Sequence, residues 1–403
     1  MRGVALSDLH LGYRAHTALH RGRNVRELDV EKAWFWCVQK ITEINPDIVT
    51  IAGDIFHHPR VSDYAKKAFI GGLSDIAQDV GCPIVVLQGN HDAGRTVDVL
   101  TPIHLPAGLI PGLHVVIKPC RLRLSINAVP DHIQPPEIVS VSCFPFVTRE
   151  LDPKAYKIEP DPDADINILV MHAAVKGGDT PHFYAGENAI DIGDIKEDWD
   201  VIACGDYHEF TMLDGDKCAF YSGAIERTTN NIWQESMPKG FVEWNLGPGT
   251  DQFDLKFHEV PTRPMVDITM ADSMSKNGPF LPNAENVNGC MKLWLLDVAP
   301  DIDKCLVRLK VEDFPREERD HIDWAMVREF KNRCTHFYLD IRYAERETVE
   351  LGARDGERRT IEEEAIAFFE DDDERVRGCA FTFLKIGALS HLPDDMHVME
   401  IDE

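Results

Sequence analysis

One pattern recurs five times in the first 208 residues of this 403-residue sequence: a short apolar run that ends in Asp, Asn or His. Counted with their polar ends, these runs occupy residues 3–8, 47–54, 83–92, 166–172 and 200–208. Helical spacing of apolar residues is found at 29–44, and a second helical segment is predicted at 61–78. Buried strands separated by helices predict an α/β fold, in which ligands bind past the carboxyl ends of the strands.

The polar residues that follow the apolar runs are of the types that bind divalent metal ions. They are Asp8, His10, Asp54, Asn90, His91, His172, Asp206 and His208. Hard ions such as Mn²⁺ and Mg²⁺ prefer oxygen ligands, and Mn²⁺ also accepts imidazole. Two ions about 3.5–4 Å apart need one bridging carboxylate and a further set of ligands each. The set therefore predicts a two-metal centre with Asp54 as the candidate bridge.

Each of these motifs has a simpler explanation when it is taken alone. A single D-x-H has about a one-in-ten chance of binding a metal, and Gly-Asp after a strand is often only a turn. His172 alone would more often be a core histidine. "GNHD" (89–92) is more specific, because four polar residues after an apolar run serve no packing purpose. The evidence for a metal centre is the whole set of motifs in this order, because each motif alone is weak evidence.

The ordered set resembles the calcineurin-like metallophosphoesterase superfamily, and within it the SbcD-type nuclease subunit of the double-strand-break repair complex. The segments that carry the resemblance are "SDLHLGY", "GDIFHHPRVS", "GNHD", "VMHAAV" and "YSGAIERT", within about residues 1–260. It implies a two-sheet α/β/β/α sandwich with a small α+β capping domain and a C-terminal tail. The expected boundaries are 1–262 for the nuclease domain, 263–345 for the capping, DNA-recognition domain, and 346–403 for an acidic helical tail.

The resemblance also implies a role for each candidate residue. Asp8, His10, Asp54 and His208 would hold one ion, and Asp54, Asn90, His172 and Asp206 would hold the other. His57 matches the family's proton donor, and His91 matches the histidine that stabilises the transition state. Asp206 departs from the family's GHxH pattern. Aspartate still binds Mn²⁺ or Mg²⁺, so Asp206 either retunes the second metal site or weakens it.

The charge of the chain bears on DNA as a substrate. A net charge of −27 argues against nonspecific binding to nucleic acid, so DNA would need a local positive surface. Residues 13–26 contain Arg14, Arg21, Arg23 and Arg26 and no acidic residue. This segment is either a DNA contact beside the first metal motif or a solvated loop. Arg227 is a further candidate phosphate contact.

The expected function is that of a metal-dependent DNA nuclease in repair and recombination. The resemblance implies an exonuclease on double-stranded ends and an endonuclease on single strands. The cofactors would be two divalent ions. Mn²⁺ is the preferred assignment, and Mg²⁺ is the alternative. The alternatives are a phosphatase or small nucleotide phosphodiesterase of the same superfamily, and a catalytically weak scaffold that binds DNA ends.

The expected partners come from the resemblance. They are DNA, an SbcC-type ABC ATPase that would bind the tail, and a second copy of the chain. Ala65, Phe69, Leu73 and Ile76 share one helical face, which predicts core packing, whereas the resemblance implies a homodimer contact for this helix. Scattered cysteines and the lack of any apolar run of about 18 residues predict a cytoplasmic protein without a membrane span.

Overall fold

The computed structural model of this chain describes residues 1–94, 101–126, 137–146, 159–177, 189–195, 199–214, 218–247, 253–270, 282–297 and 302–344. Met1–Tyr343 form one compact unit. The predicted tail at 346–403 lies outside the described residues. The α-helices in the described part are α1 (Val25–Ile44), α2 (Asp63–Asp79), α3 (Ala284–Asp297) and α4 (Trp324–Arg333). None of these helices combines the length and the apolar character that a membrane crossing requires.

The first of two six-stranded sheets contains three of the predicted strands. Strands are numbered along the chain, and from one edge to the other this sheet consists of β16 (Phe253–Glu259), β15 (Gly240–Leu246), β1 (Arg2–Leu6), β4 (Ile48–Ile51), β5 (Ile84–Leu87) and β6 (Leu113–Val116). Strands β1, β4, β5 and β6 are parallel, and β15 and β16 extend the sheet in antiparallel order.

The second six-stranded sheet contains the other two predicted strands. Its order is β13 (Thr211–Asp214), β14 (Ala219–Tyr221), β12 (Val201–Gly205), β9 (Ile166–His172), β8 (Glu137–Phe144) and β7 (Cys120–Ile126). The four central strands are parallel, and an antiparallel strand flanks them at each edge. Two short pairs complete this part of the fold: β2 (Leu19–His20) with β3 (Arg23–Asn24), and β10 (Val175–Lys176) with β11 (Ile190–Asp191).

The two large sheets pack face to face over an apolar core. Ala5 and Val85 of the first sheet meet Val170 and Ala203 of the second sheet in this layer. The neighbours of Ala5 in the sequence point the other way, into the core beneath α1 and α2. Since both faces of the central strands are buried, their sequences are mostly apolar, with a few polar residues such as Thr50 and Ser140. The predicted two-sheet α/β architecture is confirmed, and helices α1 and α2 lie on the first of these two sheets.

Helix α1 begins at Val25, not at Asp29 as the apolar spacing predicts. The reason is a cap: the Asn24 side chain accepts the backbone N–H groups of the first helical turn. Arg26 therefore lies inside the helix instead of in the basic loop. Its guanidinium is fully buried and pairs with Asp29 at 2.8 Å and Glu226 at 3.2 Å. The prediction that Arg26 belongs to an exposed basic segment is wrong.

A third sheet follows the first two and has a separate apolar core. It is wholly parallel and consists of β17 (Met265–Thr269), β18 (Leu306–Phe314) and β19 (His336–Tyr343). Its core includes Val307 of β18 and Phe330 of α4. Arg263, just before β17, binds the Asp29 carboxylate at 2.6 Å, and His336 stacks on His16 at 3.6 Å between ring centroids. These contacts attach the third sheet to the segment that follows the first metal motif.

Helices α1 and α2 are joined by a close contact at an indole ring. The Trp34 Nε1–H donates a hydrogen bond to the Ala68 carbonyl at 2.9 Å, and Gly72 lies against the same ring. The α2 face made by Ala65, Phe69, Leu73 and Ile76 is buried in the core of this chain. Core packing, the first of the two predicted roles for that face, is the one observed.

Adjacent glycines on α2 allow a matched test of this packing. A methyl group at Gly72 would overlap the Trp34 indole, whereas one at Gly71 meets nothing within 4 Å. Gly72→Ala should therefore lower the free energy of unfolding by about 1–3 kcal/mol. Gly71→Ala should raise it by about 0.5–1 kcal/mol, because alanine favours the helix. Urea denaturation measures both, and equal shifts in the two variants would contradict the packing.

Candidate metal centre

The ends of strands from both large sheets bring the predicted metal ligands together. Asp8 follows β1, Asp54 follows β4, and Asn90 follows β5 in the first sheet. His172 is the last residue of β9, and Asp206 directly follows β12 in the second sheet. Because parallel strands point the same way, their polar ends meet at one edge of the sandwich. His10 and His208, two residues after Asp8 and Asp206, lie at the same edge.

Asp54 lies between two histidines that come from different sheets. Its Oδ2 is 3.7 Å from His10 Nε2, and its Oδ1 is 3.5 Å from His172 Nε2. The backbone N–H of His91 donates a hydrogen bond to Oδ1 at 2.8 Å and fixes the carboxylate. This is the arrangement that a carboxylate bridging two ions requires.

Asp8, His10 and His208 form the first cluster of potential ligands, whose ligand atoms all lie within 4.8 Å of one another. The Nε2 atoms of the two histidines are 3.1 Å apart, and Asp8 Oδ1 is 3.8 Å from His208 Nε2. Asp8 Oδ1 is buried and has no hydrogen-bond partner among the described residues. Such an oxygen is costly unless a cation or a donor meets it, so this cluster fits a divalent metal ion.

The second cluster is centred on His172. Its Nδ1 lies 2.7 Å from the Ala52 carbonyl oxygen and must carry a proton there, because a carbonyl only accepts. That hydrogen bond turns Nε2 toward the centre, 2.8 Å from Asn90 Oδ1 and 3.8 Å from Asp206 Oδ1. One imidazole nitrogen is thus surrounded by carboxylate and amide oxygens, the donor types that Mn²⁺ binds.

The electrostatics of the centre favour a cation. Burial raises the pKa of Asp8 to about 7, and the nearby carboxylates of Asp54 and Asp206 add to that rise against the attraction of His172. Burial alone would lower the pKa of His172, but the surrounding carboxylates raise the pKa to about 9. Burial disfavours a charged imidazole, so an imidazole that keeps its second proton in a buried site must be surrounded by negative charge. A divalent ion would balance that charge better than one proton does.

Four of the predicted ligands have a left-handed backbone conformation that side chains other than glycine seldom adopt. The φ angles are 51° at Asp8, 47° at His10, 52° at Asp54 and 104° at Asp206. Each such residue costs on the order of 1–3 kcal/mol, and this kind of strain is concentrated at functional sites. Here it turns each side chain from the end of its strand into the shared centre.

Asp206 lies beside His172, with its Oδ1 3.8 Å from His172 Nε2. Its backbone N–H donates to Asp8 Oδ2 at 3.2 Å, so the two loops are joined directly. Its carboxylate faces the His172 ring, and the side chain is 31% exposed. The structure therefore brings the residue that departs from the family pattern to the same place as the others.

His57 and His91 lie side by side at the centre. The nitrogens of His10, His57 and His91 form a third cluster within 4.8 Å, in which His57 and His91 are only partly buried. His57 Nδ1 is 3.4 Å from His10 Nδ1, and His91 Nδ1 donates to the His57 carbonyl at 2.8 Å. Burial and the neighbouring histidines lower the pKa of His57 to about 4, so its imidazole is neutral at pH 7.

Asp92 is a supporting residue to which the sequence assigned no role. Its buried carboxylate accepts the backbone N–H groups of Ile55 at 3.0 Å, Phe56 at 2.8 Å and Gly89 at 2.9 Å. These bonds tie the loop that carries Asp54 to the loop that carries Asn90. The only signal for Asp92 in the sequence is its place as the last letter of "GNHD".

Two of the predicted DNA-binding arginines pair with acidic residues of helix α1. Arg14 lies 3.1 Å from the buried Glu27 carboxylate, and its own side chain is 59% exposed. Arg23 pairs with Glu31 and lies over the Tyr64 ring, 4.1 Å from its centroid. The acidic partners lie in helix α1, which follows the basic segment. The composition of the basic segment alone therefore does not reveal these ion pairs.

The other two predicted arginines differ in exposure. Arg227 donates hydrogen bonds to the Glu235 carbonyl at 3.0 Å and to Thr262 Oγ1 at 2.8 Å. Arg21 is exposed in the turn between β2 and β3, with a left-handed φ of 50°. Of the four, Arg21 therefore presents its charge most directly to solvent.

Comparison with known proteins agrees with this geometry. Residues 1–210 match the calcineurin-like phosphoesterase family. The chain is also similar to proteins described as "DNA double-strand break repair protein Mre11" from three archaea. Identity is 26% over 234 residues for Methanococcus maripaludis, covering 56% of this chain and 57% of the relative. The identity to the Methanopyrus kandleri protein is 30% over 180 residues, which cover 44% of this chain and 38% of the relative. The identity to the Archaeoglobus fulgidus protein is 25% over 300 residues, which cover 68% of this chain and 62% of the relative.

These alignments span between 38% and 62% of the relatives' own lengths. A solved structure titled "GAP50 the anchor in the inner membrane complex of Plasmodium" matches with a TM-score of 0.37 at 12% identity, covering 66% of this chain and 89% of that one. The family match covers more than half of this chain, from the first metal motif to the last. The chain therefore belongs to the calcineurin-like phosphoesterase family.

Proposed function

We propose that this chain is a DNA nuclease that hydrolyses phosphodiester bonds at a two-metal centre. The observation that carries the proposal is the Asp54 carboxylate, whose two oxygens face His10 and His172, one from each cluster. Membership of the phosphoesterase family supports the reaction class. Similarity to archaeal proteins described as acting in DNA double-strand break repair supports DNA as the substrate.

Each proposed ion takes ligands from both sheets. Asp8, His10, Asp54 and His208 would hold the first ion, and Asp54, Asn90, His172 and Asp206 the second. Imidazole beside carboxylate and amide oxygens favours Mn²⁺, with Mg²⁺ as the alternative. Such a pair of ions supplies the Lewis acidity for attack of water on phosphorus.

His57 is proposed as the proton donor to the leaving oxygen, and its hydrogen bonds support this role. If His10 binds a metal through Nε2, its proton must be on Nδ1, which lies 3.4 Å from His57 Nδ1. His57 Nδ1 then accepts that proton in a hydrogen bond, so the proton of the neutral His57 ring is on Nε2. That atom is the one left to reach the substrate. The neutral ring can donate a hydrogen bond from Nε2 to the leaving oxygen, and it protonates that oxygen only in the molecules in which the ring carries a second proton.

His91 is proposed to stabilise the charge that develops on the phosphate. Its Nδ1 is committed to the His57 carbonyl, so Nε2 can donate to a phosphate oxygen only from the doubly protonated ring. An imidazolium suits this role, because it brings a positive charge as well as a donor to an anionic transition state.

DNA binding is proposed to involve the third sheet and the four arginines Arg14, Arg21, Arg23 and Arg227. The third sheet contacts the segment that follows the first metal motif, through His336 on His16. Arg21 is exposed, and Arg14 is exposed enough to exchange Glu27 for a phosphate. An SbcC-type ATPase bound to the tail, a homodimer and a cytoplasmic location remain predictions.

A cleavage assay with three substrates tests the proposed function. The metal-free protein should degrade linear duplex DNA after addition of Mn²⁺ and lose this activity when a chelator removes the ion. A chromogenic phosphodiester and a phosphomonoester are assayed beside the DNA. Turnover of the small esters without DNA cleavage would indicate a phosphatase or phosphodiesterase instead, and no turnover of any substrate would indicate a scaffold.

The adjacent histidines His57 and His58 provide a matched pair for the proton donor. His57→Gln should lower kcat on linear DNA by about 10²–10⁴-fold while both Mn²⁺ ions still bind, because only proton transfer is lost. His58→Gln should cleave at close to the wild-type rate, because the exposed His58 ring lies against His57, 4.4 Å between ring centroids, but has no proposed role in proton transfer. Cleavage by the His57 variant at the wild-type rate would show that His57 is not the proton donor.

Replacing Asp206 by histidine tests its role as a ligand. Asp206→His should retain cleavage with Mn²⁺ but lose more activity with Mg²⁺, because Mg²⁺ accepts imidazole poorly. The ratio of the two rates is the measurement. Asp75→His on the exposed surface of α2 is the control and should leave the ratio unchanged. The same ratio in both variants would show that Asp206 binds neither ion.

A further inference from the structure

A buried ion pair lies behind His208, on the side of its ring that faces away from the proposed metal. The Glu235 carboxylate and the Lys239 ammonium are 2.6 Å apart, and both side chains are almost wholly buried. The ammonium also donates a hydrogen bond to the His208 carbonyl at 2.7 Å. A buried charge pair is costly to desolvate, so its position against a metal ligand needs an explanation.

The Glu235 carboxylate is held in place by groups other than His208. Its Oε1 accepts hydrogen bonds from the Thr229 backbone N–H at 2.9 Å and from the Thr229 hydroxyl at 2.6 Å. Its Oε2 faces Lys239 and lies 3.9 Å from His208 Nδ1. His208 Nδ1 is buried and has no hydrogen-bond partner among the described residues. A rigid carboxylate thus faces an imidazole nitrogen that lacks a partner.

The two histidines that come from the second sheet differ in what supports them. His172 directs Nε2 into the centre because its Nδ1–H is held by the Ala52 carbonyl at 2.7 Å. His208 also directs Nε2 into the centre, toward His10 at 3.1 Å, and the acceptor on its Nδ1 side is a carboxylate. A shift of about 1 Å would bring Glu235 and His208 into hydrogen-bond range.

We infer that Glu235 is a positioning residue that accepts the Nδ1 proton of His208 and so leaves Nε2 for the first metal ion. This inference rests on the proposed function, because it needs His208 to be a metal ligand. A carboxylate behind a metal-binding imidazole fixes the tautomer, orients the ring and makes Nε2 a stronger donor to the ion. Lys239 keeps the carboxylate ionised and in place.

Mn²⁺ titration of a Glu235 variant tests the inference. Free Mn²⁺ is measured by electron paramagnetic resonance in wild type and in Glu235→Gln, which keeps the shape of the side chain and removes its charge. The variant should bind one of two ions about 10–100-fold more weakly and the other with unchanged affinity. A folded variant with both affinities unchanged would overturn the inference.

The matched control is Glu226→Gln in the neighbouring segment. Glu226 is equally buried and pairs with Arg26 at 3.2 Å, so its loss also removes a buried charge partner. It should leave both Mn²⁺ affinities at their wild-type values. Equal loss of affinity in the two variants would mean that Glu235 acts only through stability, which also overturns the inference.

If Glu235→Gln does not fold, a measurement on the wild-type protein tests the role of Glu235 instead. In the Mg²⁺-loaded protein, the His208 Nδ1 proton should exchange slowly with solvent and resonate downfield in the ¹H–¹⁵N spectrum of the ring. His208→Gln identifies the signal by its loss. If no such proton is found while two ions bind, the inference fails and the proposed function stands. If wild type binds no divalent ion, both fail.

Discussion

The apolar layer between the two six-stranded sheets determines whether a metal centre can form. Asp8, His10, Asp54 and Asn90 follow strands of the first sheet, and His172, Asp206 and His208 belong to strand ends of the second. Neither sheet alone brings the complete set of proposed ligands. Interior packing is dense and tolerates little displacement, so the side chains of this layer fix the distance between the two halves of the centre.

A second set of bonds holds the ligands in conformations that they would not adopt freely. Asp92 ties two candidate-ligand loops of the first sheet together, and the carbonyl of Ala52, directly after strand β4, orients His172 of the second sheet. Left-handed backbone at the strand ends is tolerated because such bonds determine the position of each loop. The geometry of the centre thus depends on buried groups that are not themselves proposed ligands.

The residues at the centre could be predicted from the sequence because parallel strands place their polar ends at one edge, whatever lies between them. What could not be predicted depends on contacts between distant segments. Arg26 is buried because Asn24 starts α1 early and Glu226, 200 residues on, supplies a counter-charge. Glu235 follows no strand and belongs to no motif, so only the folded chain places it behind His208.

The division of the ligands between two sheets also gives the proposed ions a part in holding the molecule together. An ion bound by His10 from one sheet and His208 from the other is a cross-link through the open edge of the sandwich. A ligand that binds only the folded chain stabilises it in proportion to the logarithm of its concentration. The supply of divalent metal would therefore set how firmly the two sheets are joined, independently of its part in hydrolysis.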